Sequence, residues 1–402
     1  MLNSVFIALI LGLPKVGFID LPIIALFIWS LVLNIPNVLR GNIKLTINNN
    51  IITILFLLSI LVIIVYISSL YNSSISITYT FRPFRMIVIV ILLMAILKKI
   101  YIDDVFKGIL LVSITNSLIV YIQYIFDILG ISPLIFHPIG FSETVITPYR
   151  KPGIYNGYPV SGLMVLLGII SSSYLYIKNP KIKYTIIIVF LLPTLILTSR
   201  TALLEFILFI IFMLLFKTKE IYFKSNIKKV KKFFIFFSLS FMIIILYLYN
   251  QHPYFAGSIN KAFALFINYY KYGYFLDYSS RDLLENHYQF PDNYLTFLFG
   301  NSLQPFQGGV NSDVSFIRIL FTTGIFSLLI YIIIFFLGYI YTIKNRYLLK
   351  IEKTFIFLVL TSIFIACFKG PYMFSRVLGD IALLFIISLS KEHYNEKNNI
   401  SN

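Results

Sequence analysis

The side chains in this chain that are best suited to chemistry are arginines. Seven of the nine lie in or beside the polar segments that separate long apolar runs: Arg82, Arg85, Arg150, Arg200, Arg281, Arg318 and Arg376, with Lys151 next to Arg150. A guanidinium stays charged in partly dry surroundings and donates two parallel hydrogen bonds to a phosphate or carboxylate. The pattern therefore indicates a site for an anionic ligand. For single arginines, snorkelling to lipid headgroups is the alternative.

Motifs for nucleotide, metal or redox chemistry are absent from the sequence. There is no P-loop and no glycine-rich GxGxxG turn after a strand. The four histidines and the sole cysteine, Cys367, have no metal-ligand spacing. We therefore expect no metal and no cofactor, and a substrate that brings its own activation.

Composition places the chain in a membrane. It is 59% hydrophobic and 12% charged, with a mean hydropathy of +0.88, whereas soluble domains are about a quarter charged. The net charge of +17 would suggest a nucleic-acid partner in a soluble protein. Here the distribution of lysines explains it better, so we expect no nucleic-acid partner.

Runs long enough to cross the hydrocarbon core predict about twelve transmembrane helices, or eleven if the short first run does not span. They are Leu2–Leu13, Val16–Ile35, Ile51–Ser68, Phe84–Leu97, Val105–Phe126, Val160–Ile177, Tyr184–Thr198, Thr201–Phe216, Phe233–Tyr249, Val314–Tyr341, Phe355–Phe368 and Val377–Ser390. The sequence thus predicts an all-α polytopic membrane protein, with residues 1–402 forming a single transmembrane domain. The first run lacks a basic start and a cleavage site, so a removable signal peptide is not expected.

Lysines give this set of spans one orientation. Of 24 lysines, 19 fall in segments that alternate on one side, and the positive-inside rule makes this side cytoplasmic. Both termini are then cytoplasmic, while only Arg40 and Arg346 among the arginines lie inside. The other arginines face outward, together with the large loop Asn250–Ser312.

The large outward loop is rich in tyrosine and phenylalanine. Apolar residues recur at helical spacing from Ile259 to Tyr270 behind Ser258, which we predict to cap a helix. Such a helix could lie along the membrane interface or pack over the bundle.

Three short outward stretches could form the anion site. Thr147–Gly162 places Arg150 and Lys151 before a Pro, Gly and Asn-rich turn that leads into a helix, and Thr198–Thr201 is a minimal turn around Arg200. The third is Lys369–Arg376. The alternatives are an ordinary tight turn for the first and a local salt bridge between Arg376 and Asp380 for the third.

Several polar residues fall inside predicted spans. Thr115, Asn116 and Gln123 are interpreted as helix–helix contacts. Glu205 lies little more than one turn into the membrane, where it is either functional or paired with a neighbouring arginine.

Four stretches, in order, resemble the Wzy-type polysaccharide polymerases of the O-antigen polymerase and ligase superfamily. Arg150-Lys151-Pro152-Gly153 with Tyr158-Pro159 resembles the outer Arg-Gly loop of that family, and Thr198–Leu203 resembles its Ser-Arg turn. Ser280-Arg281-Asp282 with the later Phe299-Gly300 resembles the large-loop segment. Asp313–Ile325 resembles the stretch that re-enters the membrane. The likeness covers residues 140 to 330.

The resemblance implies a GT-C-like helical bundle in the bacterial inner membrane and a metal-independent glycosyltransferase. A growing glycan would be transferred from undecaprenyl pyrophosphate to a lipid-linked repeat unit at the outer face. Arg150, Arg200 and Arg376, supported by Arg82 or Arg281, would hold the pyrophosphate, and Lys151, Arg85 and Arg318 are further candidates for substrate binding. The candidates for the base are Asp313, His287 and Glu143, in that order. Membrane lipids, a chain-length regulator and a flippase are the partners implied.

Two alternatives remain open. O-antigen ligases share the architecture but commonly carry a His-Asn or His-Ser pair where this chain has Ser312-Asp313, which favours a polymerase, although His287 is close in sequence. A flippase of lipid-linked oligosaccharides is the other alternative. Such transporters are built from repeated halves, and no repeat is seen at the six-span midpoint.

Overall fold

The computed structural model describes most of the chain. Described are residues 2–16, 19–39, 49–71, 77–96, 100–132, 150–155, 157–215, 253–274, 278–303, 310–373 and 375–390, with single positions between 235 and 250. Glu143 and most of the predicted span Phe233–Tyr249 lie outside the described residues. The chain divides into two compact units, which are described one at a time.

The first unit comprises Met1–Pro22, Asp103–Asp277 and Leu349–Ser362. Its helices are α1 (Leu2–Gly12), α5 (Ile102–Ile128), α6 (Tyr158–Lys178), α7 (Ile182–Thr198), α8 (Arg200–Leu215), α9 (Pro253–Ala262) and α10 (Ala264–Tyr272), with the first part of α14 (Lys350–Ala366). The central helix is α6, buried from Ser161 to Leu175 and packed against α7 and α8. It also meets α5, where Ser113 Oγ donates to the Met164 carbonyl at 2.6 Å.

The second unit comprises Ile23–Ile102, Tyr278–Leu348 and Ile363–Asn402. It contains α2 (Leu21–Leu39), α3 (Asn49–Tyr71), α4 (Ile77–Ile96), α11 (Tyr278–Asp282) with a π turn (Leu283–His287), α12 (Tyr294–Phe299), α13 (Ser315–Lys344) and α15 (Leu378–Ser390). Helix α15 is buried along most of its length and packs against α3, α4 and α13.

Within the described residues, four helices are long and apolar enough to cross a membrane: Asn49–Leu70, Ile102–Ile128, Tyr158–Lys178 and Ser315–Lys344. Shorter apolar helices occupy Leu2–Gly12, Leu21–Ile35, Ile182–Thr198 and Leu378–Leu389. The prediction of an all-α membrane protein is thus confirmed in its class. The count of about twelve spans stays a prediction.

The predicted second span begins later than expected. Residues Lys15–Val16 and Ile19–Asp20 form a two-stranded antiparallel ribbon, and α2 starts at Leu21. Pro22 has no amide hydrogen and suits the first helical turn, where an amide would be unpaired in any case. Val16, Ile19 and Asp20, which the predicted span included, therefore lie in the ribbon and not in α2.

Helix α4 also differs from expectation. The predicted span begins at Phe84, but α4 begins at Ile77 and continues through Arg82, Pro83 and Arg85. The two arginines are therefore on the helix itself, and both are half-buried.

Helix α13 is broken at Gly324, whose φ of 79° and ψ of 177° are not helical. A Cβ at this position would lie 2.1 Å from the carbonyl oxygen of Leu298, so no side chain fits between α12 and α13. The segment after α12 hydrogen-bonds to the residues just before the break. The amides of Asn301 and Ser302 donate to the carbonyls of Phe321 and Thr322 at 2.7 and 3.1 Å. These bonds supply partners to backbone groups close to the interruption.

In the large loop, α9 and α10 replace the single predicted helix. Ser258 was predicted to be a helix cap, but α9 begins five residues earlier, at Pro253, and Ser258 is buried within it. Its hydroxyl hydrogen-bonds with the Tyr124 hydroxyl at 3.1 Å. Proline suits the first turn of a helix, which accounts for the earlier start.

Candidate functional site

In the first unit, Lys151 is the most deeply placed of the predicted ligand-binding cations. Its side chain is fully buried, with Nζ 2.6 Å from Asp127 Oδ2 and 5.4 Å from the centroid of the Tyr124 ring. A buried ammonium requires such a counter-charge, because the cost of its desolvation would otherwise be several kcal/mol. Lys151 is thus paired with Asp127, near the end of α5. This pairing makes Lys151 less suited to bind a ligand directly than the sequence suggested.

The segment that carries Arg150 and Lys151 is fastened to α5 by two buried amides. Gln123 donates from Nε2 to the Gly153 carbonyl and accepts the Gly153 amide at Oε1, both at 3.0 Å. About two turns earlier on α5, Asn116 Oδ1 accepts the Ile154 amide at 3.0 Å, and its Nδ2 donates to Ser161 Oγ at 2.8 Å. The fit is close, since a Cβ on Gly153 (φ 64°) would lie 2.1 Å from Asn116 Oδ1.

These amides were predicted to join helices. The structure shows that they bind residues 150–155, which we call the cationic segment. Asn116 also hydrogen-bonds to the first turn of α6. The signal in the sequence was their seven-residue spacing, which places both on one face of α5. Nothing in the sequence identified the backbone of a loop as their partner.

Arg200 approaches the same place from the start of α8. It is 8% exposed, and the turn that precedes it is tied to the cationic segment by the Lys151 amide, which donates to the Leu197 carbonyl at 3.4 Å. The Arg150 guanidinium carbon lies 5.1 Å from the centroid of the Tyr158 ring. The structure therefore brings Arg150, Lys151 and Arg200 close together in the first unit, whereas Arg376, the third arginine of the predicted set, belongs to the second unit.

The two arginines of this cluster are close enough for their charges to repel one another. Burial lowers the pKa of Arg150, and the positive charge of Arg200 lowers it further. Lys151 is paired with Asp127. We call Arg150, Lys151, Arg200 and Asp127 the cationic cluster.

A cavity of about 480 Å³ lies beside the cationic cluster. Its walls come from α5, α7 and α9 and are formed by Tyr121, Tyr124, Ile125, Ile128, Val189, Phe190, Pro193, Leu197 and Phe255. We call it the apolar groove. Two residues of the groove also contact Lys151. Its ammonium lies over the Tyr124 ring, and its backbone amide donates to the Leu197 carbonyl.

Helix α9 of the large loop closes one side of the groove. The Phe255 ring stacks on the Tyr124 ring, with centroids 5.8 Å apart and an interplanar angle of 19°. Ser258, on the same helix, bonds to the Tyr124 hydroxyl. Tyr124 therefore contacts the large loop, the groove and Lys151, and no sequence pattern pointed to this role.

Glu205 lies on α8, five residues beyond Arg200. Its carboxylate is 5% exposed, and within the described residues neither oxygen has a hydrogen bond of standard geometry, although the Ser362 hydroxyl is a polar neighbour. No ion pair with an arginine is found for Glu205 in that part of the chain. The structural pairing considered from the sequence is therefore not seen.

In the second unit, Arg85 forms an ion pair with Asp380. Its two terminal nitrogens donate to Asp380 Oδ1 and Oδ2 at 2.7 and 2.8 Å, and Asp380 is 2% exposed. The same carboxylate accepts the Val377 amide at 3.2 Å. The structure thus pairs Asp380 with Arg85, whereas the sequence had offered Arg376 as a local alternative partner, and Arg85 has a structural role.

Arg376 precedes a strained residue of this unit. Val377 has a φ of 77°, which is rare for a β-branched side chain and costs about 1–3 kcal/mol. The bond from its amide to Asp380 holds this conformation. The position of Arg376, half-buried at the start of α15, is therefore defined by the strained turn.

His287 and Asp313, two of the predicted bases, are neighbours in the second unit. The Asp313 amide donates to His287 Nδ1 at 2.8 Å, while His287 Nε2 lies 3.3 Å from Asp282 Oδ2. The neutral tautomer that fits both contacts carries its proton on Nε2. Ser312 Oγ donates to the His287 carbonyl at 2.8 Å, which ties this residue to the start of α13.

The remaining candidates are in more exposed positions. Arg318 bonds through Nε to the Ser312 carbonyl and lies 3.4 Å from Asp313 Oδ1, whose side chain is 61% exposed. Arg281 forms a solvent-exposed pair with Glu285 at 4.0 Å. Arg82 is half-buried on α4.

Neither a protein-family model nor a curated protein sequence matches this chain.

Proposed function

We propose that this protein is a membrane glycosyltransferase that polymerises lipid-linked oligosaccharides. A growing glycan on polyprenyl pyrophosphate would be transferred to the non-reducing end of a lipid-linked repeat unit at the outer face of the inner membrane. The proposal rests on the ordered resemblance of residues 140–330 to Wzy-type polymerases. The observation that carries it is the close approach of Arg150 and Arg200 in a partly buried site beside an apolar groove.

Charge is the first physical argument for this substrate. Two guanidinium groups that repel one another in partly dry surroundings favour the binding of an anion, which removes the repulsion. Guanidinium groups also match phosphate oxygens in geometry, through paired donors.

The chemistry follows from this placement. A hydroxyl of the acceptor sugar attacks the anomeric carbon of the donor, a new carbon–oxygen bond forms, and the bond to the pyrophosphate breaks. The leaving group retains the bonding electrons and gains negative charge in the transition state, where Arg150 and Arg200 would stabilise it. The proton of the attacking hydroxyl passes to a base, for which Asp313, His287 and Glu143 remain the candidates in that order.

The hydrogen bonds of His287 support the order in which these candidate bases are placed. His287 Nδ1 already accepts the Asp313 amide, and Nε2 faces Asp282. A neutral His287 would have to give up one of these contacts before it could accept a proton. The exposed carboxylate of Asp313 has no such requirement, which supports its first place.

The test uses purified protein in lipid nanodiscs with a polyprenyl-pyrophosphate-linked repeat unit. A ladder of product lengths is expected from a polymerase. Transfer to lipid A core alone would indicate a ligase, and the absence of any covalent product would indicate a transporter.

Variants connect the assay to the cationic cluster. Arg150→Ala and Arg200→Ala are expected to abolish the ladder, while Lys261→Ala, an exposed cation on α9, should leave it intact. Full-length polymer from both arginine variants, inserted at normal levels, would refute the assignment of the pyrophosphate site.

A further inference from the structure

Helix α10 of the large loop presents an exposed row of aromatic side chains. Tyr269 and Tyr270 lie three and four residues after Phe266, which places all three on one side of the helix. Phe266, Tyr269 and Tyr270 are 42%, 52% and 91% exposed, and we call them the aromatic face. Tyr272 and Tyr274, just beyond it, are exposed as well, with their ring centroids 5.8 Å apart. No side chain of α10 is buried.

The position of α10 follows from the way in which α9 is docked. Helix α9 packs against α7 and α8, and its Phe255 and Ser258 contact Tyr124, one turn before the end of α5. Helical hydrogen bonding continues into the junction with α10, where the Phe263 amide donates to the Ile259 carbonyl at 2.9 Å. Helix α10 begins six residues after Ser258, a rise of about 9 Å along a helix. It therefore starts close to the level at which the apolar helix α5 ends.

The residue types of α10 suit the boundary between acyl chains and headgroups. A tyrosine ring is apolar, while its hydroxyl needs a polar partner, so the side chain fits neither bulk water nor hydrocarbon as well as it fits this boundary. Lys271 is exposed and is the only charged residue between Lys261 and Asp277. With no acidic residue in this stretch, the positive charge of Lys271 is complementary to the phosphates of lipid headgroups.

We infer that the aromatic face of α10 rests on the headgroup layer of the bilayer, with its rings towards the acyl chains and Lys271 at the lipid phosphates. The two placements that the sequence left open for this region then apply to different helices, since α9 packs on the first unit and α10 meets lipid. A second copy of the chain is a poorer occupant. A helix of nine residues is about 14 Å long and about 10 Å wide, far smaller than the roughly 800 Å² that each partner of a stable dimer buries.

This contact would attach the large loop at two points. The first is α9, which is fixed to α5 through Ser258 and Phe255. The second is α10, which is held by the lipid surface. Because anionic headgroups attract Lys271 more than zwitterionic ones do, the second attachment depends on lipid composition. It does not depend on the proposed catalytic activity.

The test measures the depth of α10 by fluorescence quenching. Full-length Tyr270→Cys protein is labelled with bimane and placed in vesicles of phosphatidylcholine and phosphatidylglycerol. The quenchers are a nitroxide on the lipid headgroup, a nitroxide on the acyl chain and iodide in the water. The parent protein, whose sole cysteine, Cys367, is buried, is treated in parallel as the blank. The headgroup nitroxide should quench the label about threefold more than either of the others, since interfacial helices lie at this boundary.

Two matched label positions calibrate the measurement. Ile211→Cys, in the apolar helix α8 and 46% exposed, is the depth control and should be quenched most by the acyl-chain nitroxide. Phe266→Cys lies on the aromatic face and should reproduce the profile of Tyr270→Cys. It provides an independent measurement if Tyr270→Cys folds poorly.

Three results would overturn the inference. Iodide as the strongest quencher at both face positions would place the aromatic face in water, where a glycan or another soluble partner is the occupant. Protection from all three quenchers would show that protein covers it, a second copy included. The acyl-chain nitroxide as the strongest quencher would place α10 inside the hydrocarbon.

The contribution of Lys271 is tested on the same labelled protein. Lys271→Gln should reduce quenching by the headgroup nitroxide in vesicles that contain phosphatidylglycerol, and change it little in phosphatidylcholine alone. An equal effect in the two kinds of vesicle would contradict the assignment of Lys271 to anionic headgroups.

Discussion

At the scale of single residues, the ion pair between Lys151 and Asp127 gives Lys151 a structural role that differs from the role proposed for the two arginines beside it. Lys151 is fully buried and 2.6 Å from its carboxylate, whereas Arg150 and Arg200 are next to a like charge. The lysine therefore stabilises the fold of the segment, and the two arginines remain the residues proposed to bind the anion. The sequence could not make this distinction, since Asp127 is 24 residues from Lys151.

Removal of Asp127 should expose the cost of the buried lysine. Asp127→Asn is expected to lower the free energy of unfolding by about 3 kcal/mol, because a buried ammonium is left without its counter-charge. The measurement is thermal unfolding in detergent. The double variant Asp127→Asn/Lys151→Met should recover most of the loss, and additive losses would contradict a coupled pair.

A different signature is expected for the two arginines. Inorganic pyrophosphate should raise the Tm of the parent protein, since a ligand at a hundred times its Kd adds about 2.7 kcal/mol of stability. Arg150→Gln and Arg200→Gln should lose this shift, while neither lowers the Tm of the ligand-free protein, because the repulsion between the two charges is removed. Lys261→Gln serves as the control and should retain the full shift. A pyrophosphate shift that persists in both arginine variants would place the anion site elsewhere.

At the scale of elements, the segment 150–155 is a loop whose backbone is bonded as thoroughly as a strand. Gln123 and Asn116 satisfy three of its polar groups from the face of α5. Loops are usually the least constrained parts of a fold, but here the amides fix the segment that carries Arg150. A positioning role for both amides follows.

Substitution of Gln123 should uncouple the loop from α5. Gln123→Leu leaves the Gly153 amide and carbonyl without partners in a buried place and is expected to cost about 2–4 kcal/mol. Gln123→Glu retains the acceptor for the amide, so we expect a smaller loss and partial recovery of pyrophosphate binding. The exposed Thr115→Val, on the same helix, provides the baseline. Equal pyrophosphate affinity in all three variants would refute the positioning role.

At the scale of the whole molecule, helices were more predictable than their partners. Apolar runs predicted Val160–Ile177, Tyr184–Thr198 and Thr201–Phe216, and the structure has Tyr158–Lys178, Ile182–Thr198 and Arg200–Leu215. Hydropathy reports burial along the chain and therefore finds such elements. It carries no information on long-range pairs, so only Arg376, four residues away, was considered as a partner of Asp380, whereas the structure pairs Asp380 with Arg85.

The break in α13 is a second feature that hydropathy could not reveal. Gly324→Ala is expected to destabilise the protein by more than about 3 kcal/mol, since a Cβ would meet the Leu298 carbonyl as well as require a positive φ. Gly130→Ala is the matched control, because its φ is +70° with nothing within 4 Å. It should cost only about 1 kcal/mol. Thermal unfolding measures both, and equal losses would show that α12 does not constrain the break.

The enclosure of α6 has a mechanical consequence. Its neighbours cover 83% of the window long enough to span the bilayer, so it meets little lipid. Changes in bilayer thickness act on a helix by tilting it or by matching its apolar length, and they reach α6 only through the helices around it. The cationic segment leads directly into α6. Its charged residues are therefore attached to a helix that changes in bilayer thickness do not reach directly.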